Sequence, residues 1–170
     1  MGINLEDRDR VIVRVGQGYD LHRLAAGRKL ILAGVEVASE VGPAGHSDAD
    51  VVLHAVIDAL LGGAGLGDIG EHFPDTDAAY AGIDSGLLLE QALDKVGQSG
   101  YTTVNVDVTI IAEKPKLKEY KPTMRRRLAK MLNLAEDAVN IKAKTNEGVG
   151  EIGKGEAIAC MAIVGLALKN

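Results

Sequence analysis

The sequence predicts a single α/β domain, a mixed β-sheet with helices packed against it, and three observations lead there. Runs rich in β-branched residues alternate with helix-length amphipathic stretches. Several of the connections are too short to carry a crossover helix, so antiparallel and parallel strand pairs must coexist. The chain has 170 residues, 46% hydrophobic and 25% charged, with no linker, repeat or low-complexity tract to divide it. The domain is placed at residues 11–170, and residues 1–10 form an N-terminal extension.

The elements follow in order. Val11-Ile12-Val13-Arg14-Val15 reads as a strand ending in a turn at Gly16-Gln17-Gly18. Short extended pieces are expected at Lys29 to Ala33 and Val35 to Val37. A loop from Ser39 to Gly45 then carries Gly42, Pro43 and Gly45. Ser47 or Asp48 can cap a helix from Ala49 to Leu61, stopped by Gly62-Gly63. Asp84 or Ser85 caps a second helix to Gln98, closed by Gly100. Tyr101 to Ala112 is a long strand, and Pro122 opens a helix continuing through Met124 to Leu132. Val139 to Lys144 and Ala157 to Leu168 are the last strands, separated by a loop from Thr145 to Gly155. The final strand shows little polar alternation, so burial on both faces is expected.

Composition narrows the function. Aromatic residues are 3% of the chain, with no Trp, which disfavours binding nucleic acid by base stacking. The net charge of −5 gives no general attraction to phosphate backbones, so any phosphate site must be built locally. The single cysteine, Cys160, lies in an apolar run and reads as a buried small hydrophobe. Residues 1–10 are acidic and lack the apolar core of a signal peptide, and the longest apolar run is too short to span a bilayer. A cytoplasmic protein without membrane or nucleic-acid partners is the expectation.

Four constellations can carry chemistry. Asp20 and His22 stand two apart, on one side of an extended segment. Asp50, His54 and Asp58 recur at helical spacing among Val51, Val52, Val56 and Leu60, a polar stripe that faces either solvent or a site. Asp20, His22 and His54 would make a carboxylate-and-two-imidazole set for zinc with an open position, although surface histidines on a solvated helix face would read the same. Third, the segment Leu66 to Asp77 gathers four carboxylates, two glycines and the only Phe, which suits ligand hydroxyls or a divalent ion but also an acidic surface loop. Fourth, Glu113 to Lys118 and Lys142 to Gly148 both follow strands and combine lysine with small or turn residues. Such segments can cradle phosphate, with Glu147 holding magnesium, or simply be solvated.

Taken together these strings resemble the 2-C-methyl-D-erythritol 2,4-cyclodiphosphate synthase family. The resemblance rests on Gly18-Tyr19-Asp20-Leu21-His22, on His46-Ser47-Asp48-Ala49-Asp50-Val51-Val52-Leu53-His54-Ala55 and on Asp58-Ala59-Leu60-Leu61-Gly62. It continues through Gly67 to Asp77, Asn105 to Ala112, Pro115-Lys116-Leu117, Met124-Arg125 and Thr145-Asn146-Glu147, in the family's order. It implies a homotrimer with active sites between subunits. Zinc would sit on Asp20, His22 and His54, and a second ion, Mg²⁺ or Mn²⁺, on Glu147 with the substrate diphosphate. The methylerythritol end would meet Asp20, His22, His46, Ser47, Asp68, Ile69, Gly70, Phe73, Pro74, Asp75, Thr76 and Asp77. The cytidine and diphosphate would meet Ala112, Glu113, Lys114, Pro115, Lys116, Leu117 and Lys118 together with Ala143, Lys144, Thr145, Asn146 and Glu147. His46 and Thr145 would orient phosphate oxygens as the catalytic pair, and Asp58 would support the site.

The implied reaction is attack of a 2-phosphate on the β-phosphate of the same cytidyl diphosphate, releasing CMP. Its nucleophile is already an anion, so charge neutralisation and alignment are needed rather than a strong base. The family's usual pattern has Phe and Arg where this chain has Glu151 and Lys154. Binding of an isoprenoid diphosphate on the trimer axis is therefore expected to be weak or absent. Two other classes fit parts of the sequence: a zinc-dependent phosphohydrolase, which would release inorganic phosphate, and a non-catalytic trimer that binds isoprenoid diphosphates.

Overall fold

Positions 16, 18, 20 and 22 carry Gly, Gly, Asp and His, and in an extended chain they face the same way. The computed structural model describes residues 13–44, 48–74, 77, 80 and 82–169. In it this segment is extended throughout: β1 runs unbroken over Arg14–Ala26. The turn expected at Gly16-Gln17-Gly18 is absent, because these glycines serve packing rather than bending. A methyl group at Gly16 would stand 1.8 Å from the carbonyl oxygen of Ala59, and one at Gly18 would stand 1.9 Å from that of Ala55. Helix α1 (Val51–Ala64) therefore lies almost backbone to backbone on the strand.

Two short strands, β2 (Leu30–Leu32) and β3 (Val35–Val37), pair as an antiparallel ribbon. Within the segment expected to be a loop, β4 (Val41–Pro43) pairs with the end of β1, placing Pro43 on a sheet edge where its missing N–H costs nothing. After α1 come α2 (Ile69–His72), α3 (Ser85–Gln98), β5 (Tyr101–Ile111) and α4 (Lys121–Met131). A 3-10 turn (Glu136–Ala138), β6 (Val139–Lys144), α5 (Gly150–Gly153) and β7 (Ala157–Leu168) complete the chain. The main sheet has the order β4-β1-β7-β5-β6; β7 is antiparallel to β1 and β5, whereas β5 and β6 are parallel. The predicted mixed sheet is present.

One face of this sheet is covered by α1, which packs on β1 and β7, with α3 beside it. Leu53, Ile57, Leu60 and Leu61 of the helix are buried with Ile110, Ile158 and Leu166 of the sheet and with Leu89, Met124 and Leu128 of α3 and α4. Cys160 is buried in the same layer, as expected, and burial pushes its thiol pKa up. The opposite face is open. Met161 and Ile163 of β7 are exposed in the single chain, so within it the strand is buried on one face only. They register beside Tyr19 and Gln17 of β1, in a patch with exposed Val15, Tyr19 and Leu21.

The ends of α1 also differ from expectation. The helix continues through Gly62 and Gly63 to Ala64, and Gly63 passes close over Gly16, where an added methyl would stand 3.1 Å from the Gly16 nitrogen and fit only tightly. Its N-cap is Asp50, not Ser47 or Asp48. Nor does Asp50 join a solvent- or site-facing stripe, for it is fully buried. Its carboxylate accepts from the N–H groups of Val52 (3.0 Å), Leu53 (3.2 Å), Ala33 (3.0 Å) and Gly34 (2.7 Å), tying the helix start to the β2–β3 turn. Burial, only partly offset by those donors, pushes its pKa up to about 6. The second long helix starts as predicted, capped by Asp84 through Gly86 N–H at 2.7 Å.

The close crossing predicts a large cost for the smallest substitution. Gly18→Ala, whose added methyl meets a helix carbonyl, should lower the urea unfolding free energy by ~3 kcal/mol or prevent folding. Gln17→Ala, on the exposed face of the same strand, should change it by under ~0.5 kcal/mol. Equal stability of the two variants would contradict the packing described.

Candidate metal centre and active site

Helix α1 runs antiparallel to β1, with Ala59 over Gly16 and Ala55 over Gly18. One step further along the strand, the helix presents His54 to Asp20 and His22, the first side chains on that face large enough to meet it. Asp20 Oδ2 lies 2.9 Å from His22 Nε2 and 3.0 Å from His54 Nδ1, and the two ring nitrogens are 3.2 Å apart. All three side chains are largely buried, with the rings meeting edge to face at 5.3 Å.

This donor set fits a divalent metal ion. Each residue offers one ligand atom, and the three lie within 4.8 Å of one another. Two imidazole nitrogens and a carboxylate oxygen converging this closely need a cation between them, a proton or a metal. Electrostatics agree. Burial alone would raise the Asp20 pKa, but hydrogen bonds and positive charge from His22 and His54 outweigh it and hold the carboxyl far below the usual range. Burial likewise disfavours a charged His54, yet its hydrogen bond to Asp20 prevails and raises its pKa.

The far side of His54 is also held. Its Nε2 is 3.0 Å from the hydroxyl of Ser85, the fully buried first residue of α3. Ser85 in turn gives both its O–H and its N–H to Asp48, whose carboxylate also accepts from Asp50 N–H. The sequence suggested Asp48 and Ser85 only as helix caps. Their pairing across 37 positions leaves no mark in local spacing.

Asp58, one turn beyond His54, accepts from Ile69 N–H at 2.8 Å and so anchors the acidic loop to α1. Burial pushes its pKa up. In that loop Asp68 caps α2 through Glu71 N–H (2.9 Å), and the ring nitrogen Nε2 of His72 donates to the Leu66 carbonyl at 2.7 Å. Phe73 is buried edge-on against Tyr80 at 5.6 Å and anchors the loop, and Asp77 N–H donates to the Pro74 carbonyl at 3.1 Å. Ile69 and Gly70 form the first turn of α2. His46, Ser47, Asp75, Thr76 and residues 1–10 lie outside the described residues.

The two lysine-bearing segments leave the carboxyl ends of the adjacent parallel strands β5 and β6, where α/β sheets commonly bind ligands. Ala112 N–H donates to the Lys144 carbonyl at 3.0 Å, and Asn146 N–H donates to the Glu113 carboxylate at 3.2 Å, so the loops are stitched together. Leu117 is buried under the first loop, leaving Lys114, Lys116 and Lys118 exposed around the cis peptide at Lys114-Pro115. Ala143 of β6 pairs with Ile110, and exposed Lys144, the last residue of the strand, pairs with Ile111. The Thr145 hydroxyl donates to Glu147, which is exposed at φ 52° and lies outside the three-residue metal cluster. Glu151 and Lys154, exposed on and after α5, form no ion pair with each other among the described residues.

Removal of one imidazole should be selective. His54→Ala is expected to lose bound metal after loading and dialysis, by elemental analysis, while retaining the far-ultraviolet dichroism of the native chain. Stoichiometric metal retained by this variant would overturn the assignment of the cluster.

Comparison with known proteins agrees with this geometry. The chain is 58% identical over 154 residues to the 2-C-methyl-D-erythritol 2,4-cyclodiphosphate synthase of Bordetella pertussis, covering 91% of this chain and 95% of that protein. It is 56% identical over 152 residues to the synthase of the same name from Ralstonia pickettii, covering 89% and 90%. A solved structure of such a synthase in its CDP-bound form superposes with a TM-score of 0.84 at 36% identity, covering 90% of this chain and 99% of that one. No helix among the described residues is long and apolar enough to cross a membrane. The model of the YgbB family matches residues 13–167, and the chain belongs to that family.

Proposed function

We propose that the chain converts 4-diphosphocytidyl-2-C-methyl-D-erythritol 2-phosphate into 2-C-methyl-D-erythritol 2,4-cyclodiphosphate and CMP, in the cytoplasm, as a step of isoprenoid precursor synthesis. The observation that carries this reading is the convergence of Asp20, His22 and His54, in a chain whose relatives are named for that product. A 2-phosphate oxygen forms a new bond to the β-phosphorus, and the bond from that phosphorus to the oxygen bridging to the α-phosphate breaks. CMP departs with that oxygen.

Asp20, His22 and His54 would hold Zn²⁺, and Glu147 would hold Mg²⁺ or Mn²⁺. When bound, these ions neutralise charge on the reacting phosphates, the main barrier when one anion approaches another. The protein's own contribution is alignment. His46 and Thr145 orient phosphate oxygens. Ser47, Asp68, Ile69, Gly70 and Phe73 to Asp77 receive the methylerythritol end, with Phe73 fixed by its packing on Tyr80. The stitched loops Ala112 to Lys118 and Ala143 to Glu147 receive cytidine and its diphosphate. A relative of the same fold, solved in a CDP-bound form, supports a cytidine nucleotide as the ligand.

We propose further that the working form is a homotrimer with its sites between subunits. The open sheet face supports it: Val15, Tyr19, Leu21, Met161 and Ile163 are 38–66% exposed on adjoining strands, an apolar patch suited to burial against other copies.

The test is product analysis with zinc and magnesium present, with light scattering on the same sample. The expected result is CMP and a cyclic diphosphate, identified by phosphorus NMR, from particles of three chains. Release of inorganic phosphate would instead favour a phosphohydrolase, and tight isoprenoid-diphosphate binding without CMP would favour a binding protein.

A further inference from the structure

We propose that Ser85, itself held by Asp48, is a positioning residue that fixes the protonation pattern and the ring orientation of His54. The proposal rests on the reading of Asp20, His22 and His54 as a metal site and deepens it.

Asp48, as a carboxylate, can only accept. Its two oxygens receive the Ser85 O–H, the Ser85 N–H (3.2 Å) and the Asp50 N–H (3.3 Å). A serine hydroxyl has one proton, and here that proton is committed to Asp48. Toward His54 Nε2, 3.0 Å away, the Ser85 oxygen can therefore only accept. Nε2 must carry a hydrogen. In the neutral imidazole that binds a metal, the lone pair is then on Nδ1, the atom facing Asp20 Oδ2 and His22 Nε2; without a metal that atom carries the proton it gives to Asp20. With the serine O–H turned the other way, the lone pair would sit on Nε2, pointing away from the other two ligands.

Burial makes this choice firm. Ser85 is fully buried, so water cannot exchange for either partner. Its position is set by backbone: it is the first residue of α3, and α3 packs against α1, which carries His54. Asp48 holds the serine through main chain and side chain together, and the N–H bond keeps the carboxylate beside the hydroxyl. Metal-binding histidines commonly donate their other ring N–H to an oxygen that orients them, and here a serine interposed before the carboxylate performs that task.

Two variants and two readouts test it. Ser85→Ala removes the acceptor, and Asp48→Ala leaves the serine but frees its proton. Each should weaken zinc binding by roughly 10–100-fold in competition titrations. In the zinc-free and zinc-loaded wild type, nitrogen-resolved NMR should show a slowly exchanging proton on His54 Nε2, and both variants should lose it. A role confined to α3 packing would lower the melting temperature while leaving zinc affinity and that proton unchanged, which would overturn the proposal. Coordination through Nε2 would overturn it as well. If the wild type bound no zinc but kept the protected Nε2 proton, the metal reading would fail and the Ser85 tie would stand.

Discussion

Helix α1 lies so close to β1 that the carbonyl oxygens of Ala55 and Ala59 occupy the space where side chains at positions 18 and 16 would stand. Everything that looks functional hangs from this contact. It sets the height of the helix above the sheet, and so the distance from His54 to the two residues that follow the glycines on the strand. A larger side chain at either glycine would lift the helix by roughly the length of a C–C bond or more. Three ligand atoms now within 4.8 Å of one another would then separate. Precision at the cluster is thus inherited from backbone packing, which is stiffer than side-chain packing alone.

The same helix collects negative charge around its first turns. Asp50 is buried on four backbone N–H groups, Asp48 receives Ser85, and Asp20 faces His54 from the strand. Each carboxylate has its own donors, so none is left uncompensated in the interior. Their combined field favours a positive charge on His54, which is the field a bound cation would also meet. Structural and functional acids are therefore interleaved within one short segment, and their roles differ by what each one accepts from.

Much of this was legible from residue order. The mixed sheet, the long strands and the carboxylate-imidazole set follow from β-branched runs, from two-residue spacing on a strand and from helical spacing of His54. The misreadings share a cause. Gly16-Gln17-Gly18 and Gly62-Gly63 look like breaks because glycine is the residue of turns, yet Gly16, Gly18 and Gly63 mark places where two backbones meet. Asp50 looks like part of a polar stripe because its four donors come partly from Ala33 and Gly34, which are distant in sequence. The Asp48–Ser85–His54 chain is invisible for the same reason. Contacts across tens of residues are decided by packing, and spacing along the chain carries no trace of them.

The central claim is that one strand face and one helix turn, brought together by glycine, form a single metal site. Its most direct test is an anomalous difference map collected at the zinc absorption edge from crystals of zinc-loaded protein. The account predicts one peak per site, bonded to Asp20 Oδ2, His22 Nε2 and His54 Nδ1. A peak elsewhere, or an ion that omits any of these three atoms, would contradict it.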